Sequence, residues 1–215
     1  MGEKADVIIP AHNEASTVAG VAAAARSSEL VRRVIVVSDG SRDGTVEAAR
    51  QAADVVVEVK PNRGKGAAMA LGARYSEADA LVFLDADLLN LNAEQVNLIA
   101  APVLSGETEM NVGVVSRGPV YTWLSRFTPK ISGQRAVRRR VLAEAHLDEV
   151  CDYGAEMALG AAARRLSVEI GVVFLEGVTF VKKYQKTGWL GACRDYARMF
   201  WQLFRSWVSG RFFSR

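Results

Sequence analysis

Two aspartates one residue apart, Asp85 and Asp87, follow the apolar run Leu81-Val82-Phe83-Leu84. If that run is extended, residues i and i+2 face the same side, and two carboxylates are presented to one cation. Hard oxygen donors suit Mg2+ or Mn2+, and magnesium commonly takes one or two carboxylates and completes its shell with substrate phosphate oxygens. The chemistry implied is a diphosphate clamp. The plainer alternative is that Asp85 and Asp87 cap the next helix, the commoner role of an isolated D-x-D.

A second phosphate signal is Asn62-Arg63-Gly64-Lys65-Gly66, where two glycines flank a lysine at a predicted helix start. Free backbone N–H groups and the helix dipole attract anions there, and the lysine adds a point charge. The segment lacks the G-x-x-x-x-G-K-[ST] order of a P-loop. Two further segments also follow apolar runs: Pro10-Ala11-His12-Asn13-Glu14, and Ser38-Asp39-Gly40-Ser41-Arg42-Asp43-Gly44-Thr45. Taken alone, the latter is a turn with a serine cap in which Asp43 and Thr45 start a helix.

Later in the chain, Ser132-Gly133-Gln134-Arg135 precedes Arg138-Arg139-Arg140. Arginine forks match phosphate or carboxylate bidentately, but arginines at helical spacing also form ordinary solvated faces. Asp152 and Glu156 are both candidates for a general base, which must reach an acceptor hydroxyl. Both also fit the first turn of a helix, where the dipole favours acidic residues.

The elements that must position these residues are legible from periodicity. Strands are predicted at Val7 to Ile9, Val34 to Val37, Val55 to Val59 and Leu81 to Leu84, alternating with Ala-rich helices over 15–27, 43–53 and 65–75. This rhythm predicts an α/β fold with a mainly parallel, Rossmann-like sheet covered by helices on both faces. Ligands then bind beyond the carboxyl ends of the strands, where all four early segments fall. Beyond Leu84 the spacing predicts a helix over 93–104, a strand at Val112 to Val115, a helical run from Gln134, a helix over 154–165 and a strand from Val168 to Leu175.

The chain of 215 residues, half hydrophobic and about a quarter charged, is sized for one globular domain. Cys151 and Cys193 form no C-x-x-C pair, and neither a leader nor a spanning segment is apparent, so a cytoplasmic protein is expected. Residues 182–215 hold eight Lys and Arg against the single Asp195, a local charge of +7 that leaves −4 on the rest. A mildly acidic body argues against nucleic-acid binding. The predicted organisation is a domain over 1–181, with a nucleotide-binding half to about residue 90 and an acceptor half over 91–181, then a basic tail over 182–215. In that tail Trp189, Leu190, Cys193, Tyr196, Ala197, Phe200, Leu203, Phe204, Trp207 and Val208 recur at helical steps, with arginines opposite. This C-terminal amphipathic helix fits peripheral contact with the inner face of a membrane, or a homodimer contact through 189–208.

Taken together, P-A-H-N-E, D-G-S-R-D-G-T, N-R-G-K-G and a D-A-D after an apolar run resemble the family 2 glycosyltransferases of GT-A fold, with similarity to the glucosyl-3-phosphoglycerate synthases of family 81. The likeness is close over about residues 5–90 and fades through 135. It implies a metal-dependent hexosyltransferase using Mg2+ or Mn2+ and a UDP- or GDP-sugar donor, with a small phosphorylated or lipid-phosphate acceptor. It further implies that Pro10, Ala11, Asn13, Glu14 and Asp39 line the nucleoside pocket and that Gly64 and Lys65 touch the nucleotide. Asp85 would meet the ribose or sugar side of the donor, Asp87 with Asp85 would bind the metal, and Gly133, Gln134 and Arg135 would meet the acceptor, with Asp152 or Glu156 as base. Some of these enzymes add a C-terminal histidine to the metal shell, whereas Gly177-Val178-Thr179-Phe180 has no imidazole, so water is expected there. Two alternatives stay open: a sugar-nucleotidyltransferase, whose G-x-G-T-R loop is absent after the first strand, and a non-catalytic, membrane-associated nucleotide-binding module.

Overall fold

The computed structural model describes residues 2–115, 132–147 and 154–181. The first two thirds alternate as predicted: β1 (Ala5–Ala11), α1 (Val18–Arg26), β2 (Val31–Asp39), α2 (Thr45–Arg50), β3 (Val55–Val59), α3 (Lys65–Arg74) and β4 (Ala80–Phe83). There follow a two-residue β5 (Leu88–Leu89), α4 (Ala93–Leu104), β6 (Met110–Val115), β7 (Gln134–Arg138), α5 (Arg139–Glu144), α6 (Gly154–Arg165) and β8 (Ile170–Leu175). The described residues up to Thr179 form one compact unit. The predicted tail over 182–215, with its helix through 189–208, lies outside the described residues.

Seven strands form one sheet in the order β3-β2-β1-β4-β7-β6-β8. Neighbours from β3 through β4 are parallel, as are β6 and β8; β7 alone runs antiparallel, between β4 and β6. The strand order turns outward on either side of β1, as expected of βαβ crossovers with a switch point near the carboxyl ends. The strands are apolar on both faces because both faces are covered. Helices α1, α2 and α4 pack together on one side, while α3 and α5 each meet α6 on the other.

On the α3 side, Ile8, Leu81, Phe83, Val112 and Val137 of the sheet join Met69 and Leu159 in one buried cluster. Gly72 lets α3 lie close to the sheet, since a Cβ there would come within 2.5 Å of Ile8 Cγ2. On the other face α1 buries Val18, Val21, Ala22 and Ala25, spaced three and four apart. Helix α4 starts at a capping box in which Asn92 and Gln95 satisfy each other's backbone N–H groups.

Two expectations change. The helical run predicted from Gln134 is a strand first: Gln134–Arg138 pairs with both β4 and β6, and the helix begins only at Arg139. Polar residues hid a strand buried over its first four residues, because Gln134 and Arg135 have no exposed surface. Strand β4 also ends at Phe83; Asp85 follows in coil and Asp87 in a turn, so the period-two argument for their orientation does not apply. They do not cap the next helix either, because Asn92 does so.

Candidate functional site

The loops leaving β1, β2 and β3 are tied into one surface by their own side chains. Asn13 takes a left-handed backbone, φ 56°, which asparagine tolerates. Its N–H donates to Ser41 Oγ at 3.2 Å, and its Oδ1 accepts from the Arg42 N–H at 2.9 Å. The Glu14 N–H donates to Thr45 Oγ1 at 2.8 Å, and the Ala15 N–H to Asp43 Oδ2 at 3.3 Å. Asp43 and Thr45 therefore join two loops as well as starting α2. Burial pushes the Asp43 carboxyl up, but bonds from Thr45 and Ala15 outweigh it and hold the group below its ordinary value.

Asp39 joins the third loop to the second. Its buried carboxylate accepts the N–H groups of Arg63 and Gly64, both at 2.8 Å, while its carbonyl accepts from His12 Nδ1 at 2.7 Å and Asn62 Nδ2 at 3.0 Å. A carbonyl cannot donate, so His12 carries its proton on Nδ1. Gly40, at φ 71°, lets the loops close: a Cβ there would lie 2.6 Å from Asn62 N. The result fixes Lys65 as the first residue of α3, behind Gly64 at φ 92°.

From that position Lys65 Nζ reaches Asp85 Oδ1 at 2.7 Å and Glu156 Oε1 at 2.6 Å. Gln134 Nε2 donates to the other oxygen of Asp85 at 2.7 Å. Gly133 leaves room for that carboxylate, since a Cβ there would lie 2.2 Å from it. Arg135 is fully buried behind this group, with Nη1 donating to the Glu156 carbonyl at 3.3 Å and Nη2 to the Ser132 carbonyl. Its Nε has no partner among the described residues.

Two cations thus stand against two carboxylates. Burial would raise the Asp85 pKa, but the Lys65 charge, bonds from Lys65 and Gln134, and the Arg135 charge together lower it. Burial would likewise depress Lys65, yet Asp85 and Glu156 hold it above the usual lysine value. Arg135 is lowered by burial, with Glu156 and Asp85 opposing.

Of the sequence-derived candidates, the structure gathers Lys65, Asp85, Gly133, Gln134, Arg135 and Glu156 at one place, and His12, Asn13, Glu14 and Asp39 in the adjoining loops. Pro10 and Ala11 close β1 beside them, and Asp87 lies two residues beyond Asp85, partly buried. Asp152 lies outside the described residues. The three later arginines serve elsewhere: Arg138 meets Glu3 and the Val103 carbonyl, Arg139 the carbonyls of Ala73, Ser76 and Ala78, and Arg140 Glu109. Ser41, Asn62 and His12 are loop-binding residues that motif reading passed over; the only signal was their place inside segments otherwise read for phosphate.

A divalent cation fits this donor set in one way. Among the described residues no three His, Cys, Asp or Glu side chains gather to hold a metal, and 177–180 supplies no imidazole. The protein would offer one or two aspartate oxygens, and the rest of the shell would belong to phosphate and water, as magnesium accepts.

Residues 6–155 match the family model for Glycosyl transferase family 2. An undecaprenyl-phosphate 4-deoxy-4-formamido-L-arabinose transferase of Aeromonas hydrophila is 32% identical over 135 residues, 58% of this chain and 40% of that protein. A glucosyl-3-phosphoglycerate synthase of Mycobacterium tuberculosis is 33% identical over 115 residues, 49% of this chain and 36% of its own. The chain thus spans about two fifths of the length of these curated relatives. A crystal structure of the M. tuberculosis synthase, in complex with Mn2+, UDP and glucosyl-3-phosphoglycerate, superposes with a TM-score of 0.68 at 27% identity, covering 84% of this chain and 73% of the other. The same enzyme has been crystallised with Mg2+ and UDP.

Proposed function

The chain belongs to glycosyl transferase family 2, and from that membership we propose that it moves a sugar from a UDP- or GDP-sugar to an acceptor bearing a phosphate, either a small molecule or a lipid phosphate. The observation that carries this reading is the convergence of Lys65, Asp85, Gln134 and Glu156 beside loops bound together through Asp39. Support for the acceptor class comes from relatives whose names carry a lipid phosphate and a phosphoglycerate.

In this reading Pro10, Ala11, Asn13, Glu14 and Asp39 shape the nucleoside pocket. Asp39 acts mainly by fixing the loop that carries Gly64 and Lys65, since each of its carboxylate oxygens already accepts one N–H. Asp87, with Asp85 beside it, would hold Mg2+ or Mn2+, and such an ion would supply Lewis-acid stabilisation of the charge on the departing diphosphate. Lys65 adds positive charge where that negative charge develops. Glu156 or Asp152 takes the proton of the acceptor hydroxyl. Gly133 and Gln134 bound the acceptor side, and Arg135 orients Glu156 through its carbonyl. Binding of anionic bilayers, or of a second subunit, through 189–208 is a further part of the proposal, motivated by the +7 charge of the tail. No described helix is long and apolar enough to cross a membrane.

Release of UDP or GDP from a panel of nucleotide sugars, with 3-phosphoglycerate and with a polyprenyl phosphate as acceptors, tests the reading. Acceptor-dependent release that stops in excess EDTA is expected. Absence of release from every donor, with either acceptor, would overturn it.

A further inference from the structure

We propose that Lys65 is a resident counter-cation that keeps the site from taking up a divalent metal until a nucleoside diphosphate arrives. The inference rests on the donor reading above and concerns the order in which ligands enter.

Its basis is the charge balance around Asp85. The Lys65 ammonium already spans Asp85 Oδ1 at 2.7 Å and Glu156 Oε1 at 2.6 Å. The second oxygen of Asp85 is held by Gln134 at 2.7 Å, and the carboxylate lies against Gly133. Arg135, fully buried, supplies a second positive charge beside the same two carboxylates. Asp85 and Glu156 are therefore neutralised within the protein, and Asp85 cannot turn toward a new cation without giving up a bond. A divalent ion approaching the aspartates without nucleotide meets an ammonium bonded to one of them, and like charges repel at this range. A nucleoside diphosphate reverses the balance. Its phosphates bring several negative charges to the start of α3, where Lys65 can turn to them and where the metal gains oxygen ligands that the protein lacks. Metal and nucleotide then bind as a pair.

Binding of Mn2+ alone, read from the electron paramagnetic resonance of the free ion, tests this on the full chain with and without UDP. The wild-type protein is expected to bind Mn2+ weakly alone and at least about 10-fold more tightly with UDP. In Lys65→Met the nucleotide-free affinity should rise by about 10-fold, the scale of one removed charge at close range, while the gain from UDP shrinks. Lys65→Arg, which keeps the charge, should behave as wild type. If Lys65→Met does not fold, Lys65→Gln, which keeps hydrogen bonding without the charge, replaces it. No rise in the neutral variants overturns the proposal while leaving the donor reading intact, whereas equal Mn2+ affinity with and without UDP overturns the proposal and also the joint binding of metal and nucleotide, because the coupling is reciprocal. A wild-type protein that binds neither UDP nor GDP in Mn2+ removes the donor reading and the proposal with it.

Discussion

At the amino end of the sheet Asp6 is gripped by Arg32 through bonds of 2.9 and 2.8 Å and by the Ser76 hydroxyl at 2.7 Å. At the carboxyl end Asp85 is gripped by Lys65 and Gln134, each at 2.7 Å. Both aspartates are held below their ordinary pKa against the opposing effect of burial, Asp6 chiefly by Arg32 and Ser76, and Asp85 by Lys65, Gln134 and Arg135. The difference lies in what surrounds them. Asp6 has no exposed surface, and Arg139 closes the loop around Ser76 by binding three carbonyls. Asp85 stays partly open, shares its lysine with Glu156, and lies among loops that depend on Gly40 and Gly64 in left-handed conformations. A closed ion pair is costly to break, because removing one partner strands the other's charge, whereas an open one can exchange partners with a ligand.

The largest expected effect breaks the carboxyl end alone. Asp87→Ala should lower sugar transfer by about 100-fold or more, since several kcal/mol of charge stabilisation depend on a held metal. Its melting temperature should stay within a few degrees of wild type. Equal losses of activity and stability, measured by donor turnover and thermal unfolding, would make Asp87 structural.

The converse variant, Asp6→Asn, should destabilise the fold by about 2 kcal/mol. That is less than the 3–5 kcal/mol of a fully buried pair because Arg32 is 40% exposed. Turnover per folded molecule should not change. Denaturant unfolding checks the first part, and activity at low temperature the second.

Acidification sharpens the same contrast. Asp6 has a lower pKa folded than its ordinary 3.8, so its contribution is present above about pH 4 and lost as pH falls through the folded value. Wild type should therefore lose more stability than Asp6→Asn between pH 5 and pH 2, and parallel curves would contradict this.

These contrasts also show what the sequence made legible. The β-branched runs and Ala-rich stretches located β1 through α3 closely, and α4 and α6 fell over 93–104 and 154–165 as read, because periodic burial leaves a periodic signal. Strand β7 was invisible because its buried residues include Gln134 and Arg135, whose polarity is met partly by nearby Ser132 and partly by partners far along the chain, among them Asp85 and the carbonyl of Glu156. The four early segments named the site, but not its wiring. Nothing local says that Asp39 binds the N–H groups of residues 63 and 64, or that Lys65 meets a glutamate 91 positions later.

The smallest effect lies away from both ends. Asn92→Ala removes one half of the α4 capping box and should cost about 1 kcal/mol with no change in turnover. A loss of activity there would place α4 within the site.

Calorimetric titration of UDP and GDP into the intact protein, with Mn2+ and with excess EDTA, asks whether the carboxyl end of the sheet takes a nucleoside diphosphate together with a divalent metal. Saturable one-to-one binding of at least one nucleotide is expected in Mn2+, lost in EDTA and in Asp87→Ala. Binding of equal strength in EDTA, or none of either nucleotide in Mn2+, would contradict it.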